Sequence, residues 1–334
     1  MRILPFACLL GLTACTAANP AAVTPQAPAP APSVEAPSST SPSIGTTAAT
    51  PPAAAAAIAV PVSPITLTYL GVAGWSITDG TRTVLVDPYF TRPSFAKGAP
   101  LVSDPAAITA ALAAKQLPAR ADAIVVGHSH VDHVLDAPAV AKHTGAQLIG
   151  TISTAHYALA TGLPANQIVP VKGGEDYAFD GFSIRIIPGL HSALDDKHLF
   201  GAHQTIAPGS LPKTMDQFAE GGTLNYLIRL GGHQILVIGS ANFIEREIDG
   251  LRPDIAIIAP GLRQEIYDYS CRLMRALGNP PTVLTTHFDA WTKPALTPLS
   301  PDALKDLADF TAEIKSCSPD TRVIIPKTFE PLQQ

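Results

Sequence analysis

Six consecutive residues carry three histidines and an aspartate, His128-Ser129-His130-Val131-Asp132-His133, directly after the apolar run Ala123-Ile124-Val125-Val126. Histidines at i and i+2 of an extended segment point to one side of the backbone. The aspartate and the third histidine, two and three positions further on, reach a second point as the chain turns into a helix. Neutral imidazoles and a carboxylate are the ligands that Zn²⁺ takes, at about 2.0–2.2 Å, so this turn is read as the centre of a metal site. Three more such side chains sit at the ends of apolar runs: Asp87 after Thr83-Val84-Leu85-Val86, His191 after Ile187-Pro188-Gly189-Leu190, and His287 after Leu284-Thr285-Thr286. No G-x-S-x-G segment offers a serine nucleophile in their place.

Alternating and buried runs predict the elements that must hold these residues. Strands are expected over 65–70, 83–86, 123–126, 147–149, 182–187, 224–230, 234–238, 255–258, 282–285 and 322–325. Helices are expected over 105–116, 136–143, 264–277 and 301–315; in the last, Ser300 serves as N-cap and Leu304, Leu307, Thr311 and Ile314 share one face. Gly231-Gly232 marks a hairpin. Loops that follow strand C-termini are where α/β proteins collect functional groups, and every candidate above stands in such a loop.

The His turn resembles the metal-binding signature of the metallo-β-lactamase superfamily, in the broad branch that includes the lactonase UlaG and the N-acyl-phosphatidylethanolamine phospholipase D. The resemblance runs from Ile65 to about Asp289. It implies an α/β (α+β layered) fold, the αββα sandwich, as a single catalytic domain with the metals at one sheet edge. Carried over residue by residue, it gives one metal to His128, His130 and His191 and the other to Asp132, His133 and His287, with Asp87 supporting the His loop. Asp132 and His191 are the implied catalytic residues. The family's bridging aspartate is replaced, because Gly239 is followed by Ser240-Ala241-Asn242; a neutral hydroxyl bridges two cations poorly, and Asn242 offers at most a neutral oxygen. One or two zinc ions are expected, with manganese or iron as alternatives. The implied reaction is attack by a metal-bound hydroxide on a phosphodiester, lactone or ester, against the alternative of a metal-binding envelope protein without turnover.

Other residues carry smaller expectations. Asp289 and Trp291 are candidates to buttress His287. His198 and His203, in the polar loop from Leu194 to Gly222, are candidates for substrate contact, whereas His143, His156 and His233 read as structural. Arg263, Tyr267 and Tyr269 are read first as helix-surface packing.

With 22 Lys+Arg against 27 Asp+Glu the formal net charge is −5, and no basic run exists to bind a phosphate backbone, so nucleic acid is not an expected partner. The partner expected is a small-molecule or lipid-derived substrate. Arg2 and the apolar run from Ile3 to Leu12 have the form of a signal peptide over 1–14, and Leu12-Thr13-Ala14-Cys15 resembles a bacterial lipobox with Cys15 as the lipidated residue. Residues 16–64 hold 11 Pro, 16 Ala and 12 Ser or Thr with Glu35 as the only charge, a composition too poor in large apolar side chains to form a core. The expected organisation is a lipidated linker over 15–64 and a folded domain over 65–334, tethered in the cell envelope at the outer membrane facing the periplasm; a secreted or periplasmic soluble protein is the alternative. Cys271 and Cys317 are then the last cysteines of an exported chain, where disulfides persist, and either pair or remain free thiols.

Overall fold

The computed structural model describes residues 62–96, 98–193 and 204–334. In chain order the strands are β1 (Thr66–Gly71), β2 (Gly74–Thr78), β3 (Thr83–Val86), β4 (Ala123–Val125), β5 (Gln147–Gly150), β6 (Ile168–Pro170), β7 (Asp176–Phe179), β8 (Phe182–Pro188), β9 (Leu224–Leu230), β10 (His233–Ile238), β11 (Ile255–Ile258), β12 (Thr282–Thr285), β13 (Arg322–Ile324) and β14 (Pro331–Gln333). They form two seven-stranded sheets, ordered β14-β1-β2-β3-β4-β5-β6 and β13-β12-β11-β10-β9-β8-β7. Within each, four strands run parallel: β3 to β6 in the first and β10 to β13 in the second.

The apolar alternation explains why two sheets stack. In β4, Ala123 and Val125 join the same buried cluster as Ile235 and Val237 of β10 and Ile255 and Ile257 of β11. Residues of opposite parity turn outwards: Leu85 and Ile124 pack under one layer of helices, Leu236, Ala256 and Ile258 under another. Strands buried on both faces read as continuous apolar runs, and covering both faces of both sheets requires the four-layer αββα arrangement.

The helices are α1 (Pro105–Ala113), α2 (Val131–Val134), α3 (Ala137–Thr144), α4 (Ile152–Ala160), α5 (Glu245–Ile248), α6 (Tyr269–Leu277) and α7 (Pro301–Cys317). Three expectations need correction. The helix expected over 264–277 is broken at Asp268, which takes a left-handed φ of 45° before α6 begins. In α7 the buried stripe is Leu307, Phe310 and Ile314, and Leu304 is 55% exposed, because the helix turns Phe310 and Ile314 into the cluster that holds Leu273, Met274 and Leu277 of α6. The strands β2, β6, β7 and β14 had not been anticipated; β6, β7 and β14 are short and largely exposed, so neighbouring strands rather than apolar patterning specify them.

Cys271 of α6 and Cys317 of α7 form a disulfide, with Cα atoms 5.6 Å apart. It closes a separation of 46 residues, for which chain-entropy reasoning gives about 4 kcal/mol of stabilisation. Chemical denaturation with and without reductant should show a loss of that size, and thiol labelling of the denatured, unreduced protein should find neither cysteine reactive.

Candidate metal centre at the sheet edge

Every candidate side chain is delivered from a strand end on one edge of the sandwich. β3 ends on Asp87, whose φ of 39° lies in the left-handed region that asparagine and aspartate tolerate best among residues with a Cβ. That turn aims its carboxylate at the next strand end: Asp87 Oδ1 accepts the Gly127 N–H at 2.7 Å, and Oδ2 accepts from His133 Nδ1 at 2.8 Å. Glycine suits position 127, since an added Cβ would lie 3.1 Å from the same carboxylate and press on it. The chain leaves β4 extended through His130 and then winds into α2. This change of conformation splits the turn, sending His128 and His130 to one point and Asp132 and His133 to another.

The ligand atoms of His128, His130 and His191 lie within 4.8 Å of one another, and so do those of Asp132, His133 and His287. In the first group Nε2 of His128 faces Nδ1 of His130 at 3.0 Å. The three rings stand nearly perpendicular in pairs, at 80–88° with centroids 4.6–4.7 Å apart, as rings converging on one point must. His191 donates its Nδ1 proton to the Ser192 carbonyl at 2.8 Å, which leaves Nε2 as the lone-pair nitrogen. In the second group Asp87 takes the Nδ1 proton of His133, so its Nε2 points inwards, 3.7 Å from Asp132 Oδ2; His287 Nε2 is 3.1 Å from the same oxygen.

Protonation states suit ligation. Burial, reinforced by the neighbouring imidazoles, lowers the pKa of His128 below the ordinary histidine value, and burial does the same for His191. Both are held neutral, as metal ligands must be. Burial alone would raise the Asp132 pKa, but His133 and His287 outweigh it and keep the carboxyl well below its usual range. Burial pulls His133 down, yet the Asp87 and Asp132 carboxylates prevail and raise it. The neutral His128 and His191 and the ionised Asp132 make a donor set that fits divalent metal, whereas His133 gives up its Nε2 proton as the ion binds while Asp87 keeps the Nδ1 proton in place.

His287 is held by an interlock between distant segments. Its backbone is left-handed (φ 54°), as is that of Val72 in the β1–β2 turn (φ 54°), and a β-branched residue persists there only when its surroundings impose it. They do: the Val72 carbonyl accepts from His287 N at 2.5 Å, Thr286 Oγ1 at 3.0 Å and Tyr69 Oη at 2.9 Å. Asp289 Oδ1 accepts from Val72 N at 2.7 Å and Tyr69 Oη at 2.6 Å. Asp289 therefore steadies His287 through Val72 rather than by direct contact. Arg92 adds to this, with its guanidinium 3.5 Å from Asp289 Oδ2 and 4.9 Å from the centre of the Tyr89 ring. Tyr69, Val72 and Arg92 escaped sequence reasoning because they meet Asp289 from about 200 residues away and match no local motif.

Ser240, after β10, lines the cavity. Its Oγ accepts the Ser192 N–H at 2.9 Å, and Asn242 donates its amide to the His191 carbonyl at 3.1 Å while its own Oδ1 accepts from Phe243 N. Both residues are engaged in holding the His191 loop, and the Asn242 side-chain oxygen is taken up by Phe243 N. Ser240→Asp should thus add a second anion beside Asp132 and raise metal affinity at Asp132, His133 and His287, while the unaltered protein retains nearer one metal than two after dialysis; metal analysis of both reads the difference. Two ions held firmly by the unaltered protein, with no gain in the variant, would refute this reading of Ser240.

Of the remaining candidates, Trp291 lines the cavity, edge-on to Phe95 at 4.8 Å. Arg263 is buried and spends its guanidinium on Glu313 and Asp306, Tyr269 is buried against the Ala259 carbonyl, and Tyr267 projects into solvent. His156 donates to the Ile206 carbonyl at 2.7 Å, whereas His143 is exposed at the end of α3. His198 and His203 lie outside the described residues, as do Cys15 and the segment before Val62.

These layers and this histidine-lined edge define the class, a metallohydrolase of the metallo-β-lactamase fold. The chain belongs to the β-lactamase superfamily domain family, whose model matches residues 66–267. It is similar to a UPF0173 metal-dependent hydrolase of Thermococcus onnurineus, 26% identical over 251 residues that make up 74% of this chain and 93% of that protein. A UPF0173 metal-dependent hydrolase of Pelotomaculum thermopropionicum is 30% identical over 127 residues, 38% of this chain and 47% of its own length. Among solved structures, the metallo hydrolase Igni18 of Ignicoccus hospitalis shares the fold, with a TM-score of 0.52 at 17% identity over 81% of this chain and 99% of that one.

Proposed function

We propose that this metal-dependent hydrolase cleaves an ester, lactone or phosphodiester bond and works tethered to the cell envelope. The observation that carries the hydrolytic reading is the convergence of two ligand groups, His128/His130/His191 and Asp132/His133/His287, on the floor of one cavity. A divalent metal bound there supplies Lewis acidity and a water whose pKa is lowered towards about 7.

The chain's own residues set the geometry. His191, its tautomer fixed by Ser192, presents Nε2 from β8 opposite the His128 turn of β4. Asp132 stays ionised and keeps a carboxylate oxygen as hydrogen-bond acceptor beside the reacting centre, where it can orient a water and steady its proton. Asp87 holds the His133 ring without lining the cavity, and Asp289, which does line it, steadies His287 through Val72. Zinc is the metal this imidazole-rich set favours; manganese and iron accept similar ligands.

An assay panel of esters, lactones, phosphodiesters and β-lactams, run on purified protein beside metal analysis, tests the reading. Turnover of one class that disappears on chelation and returns with metal is the expected result. Bound metal with no turnover of any class favours the second reading, a metal-binding envelope protein, which the neutral Ser240 motivates. For the tether, mass spectrometry of membrane-extracted protein should show an acylated Cys15; an unmodified chain in the soluble fraction would sink that part.

A further inference from the structure

Above its His and Asp floor, the cavity of about 410 Å³ is walled by Met215, Ala241, Leu262, Phe288 and Trp291. Among the described lining residues there is no lysine or arginine, and the charged side chains are Asp132 and Asp289. The arginines near this edge are committed elsewhere, Arg92 to Asp289 and the Tyr89 ring, Arg263 to Glu313 and Asp306.

From this lining we infer that the substrate is an uncharged carboxylic ester or lactone whose non-reacting part is apolar, and that phosphodiesters are discriminated against. The inference rests on the hydrolase reading and narrows its substrate class. An apolar group gains by leaving water for the Trp291, Phe288 and Met215 wall. A phosphodiester keeps its negative charge, and beyond the metal floor it finds no Lys or Arg among the described lining residues to share that charge with, only the Asp132 and Asp289 carboxylates and an apolar wall. Trp291, braced edge-on by Phe95, provides a fixed aromatic face rather than an adaptable one. In the reaction, water oxygen bonds to the acyl carbon and the bond from that carbon to the leaving oxygen breaks. One water proton ends on the leaving alcohol, and the other is released from the product acid.

The test compares butyl butyrate with dibutyl phosphate, which are similar in size and differ in charge. Binding to the chelated, metal-free protein is followed by tryptophan fluorescence, with Trp291→Phe identifying the signal from the cavity wall. Butyl butyrate should quench saturably and bind at least about tenfold more tightly than dibutyl phosphate, a difference of about 1.4 kcal/mol. Met215→Lys, which places a cation in the wall, should shrink that ratio. The metal-loaded protein should show the same order in kcat/KM. Equal or tighter binding of dibutyl phosphate, or no saturable signal from either compound, overturns the inference. The two readings fail separately: preferential ester binding without turnover removes the hydrolase reading alone, whereas phosphodiester turnover with phosphate-preferring binding removes this one alone.

Discussion

Replacing His128 by alanine is expected to remove the metal held with His130 and His191 and to lower kcat/KM by at least about a thousandfold, since without the metal no group at this edge activates water at neutral pH. The side chain is 2% exposed and its Nε2 lies 3.0 Å from Nδ1 of His130, so no neighbouring side chain can take its place without moving a strand end. Its depressed pKa means that it meets the metal already neutral, and deletion abolishes a ligand rather than a charge. The metal-free variant should fold as well as the metal-free parent, because a desolvated imidazole contributes little to stability in the absence of an ion. Metal content, kinetics and near-ultraviolet circular dichroism of the variant check the three statements. Unchanged turnover, in the variant or after exhaustive chelation, would falsify the metal reading.

Asp87 should show the next largest effects, and two substitutions separate its two tasks. In Asp87→Asn the amide oxygen can still accept from Gly127 N, but the group facing His133 Nδ1 becomes a donor. His133 must then carry its proton on Nε2, directed at the centre, and metal affinity at Asp132, His133 and His287 should fall by about 10–100-fold. Asp87→Ala removes both acceptors from a residue 1% exposed. The buried Gly127 N–H is left without a partner, and the imidazole that Asp87 and Asp132 together hold at a raised pKa loses its nearer carboxylate; breaking such a buried pair costs about 3–5 kcal/mol. Denaturant midpoints and metal titrations distinguish the variants. Wild-type metal affinity in Asp87→Asn would mean that the tautomer of His133 is set by something else.

Where the sequence is locally dense, it is sufficient. The run from Ala123 to His133 holds a strand, the glycine that ends it and the ligands that follow, so one short segment displays both the element and its chemistry. Asp87 is legible for the same reason, as the first polar residue after the apolar run of β3, whereas His191 and His287 stand a little beyond the ends of β8 and β12. Family resemblance then joins these ends into two groups, and the structure brings the same residues within 4.8 Å in each group.

Tertiary structure decided what depends on partners distant in the chain. Asn242 is spent on the His191 carbonyl and Ser240 on Ser192 N, because β8 and β10 flank β9 and their loops meet above its end. Asp289 acts through Val72, a contact across 217 residues that no periodicity encodes. Met215, Leu262 and Trp291 form one wall although they belong to three separate loops. The amino-acid sequence by itself determined the candidate ligands and the main strands that present them, because hydrophobic period and ligand chemistry are local properties, and its resemblance to a known family supplied the sandwich. Which side chains orient those ligands, and the uncharged apolar surface above them, only the tertiary structure decided, because hydrogen-bond satisfaction and cavity lining depend on how separate loops close on one another in space.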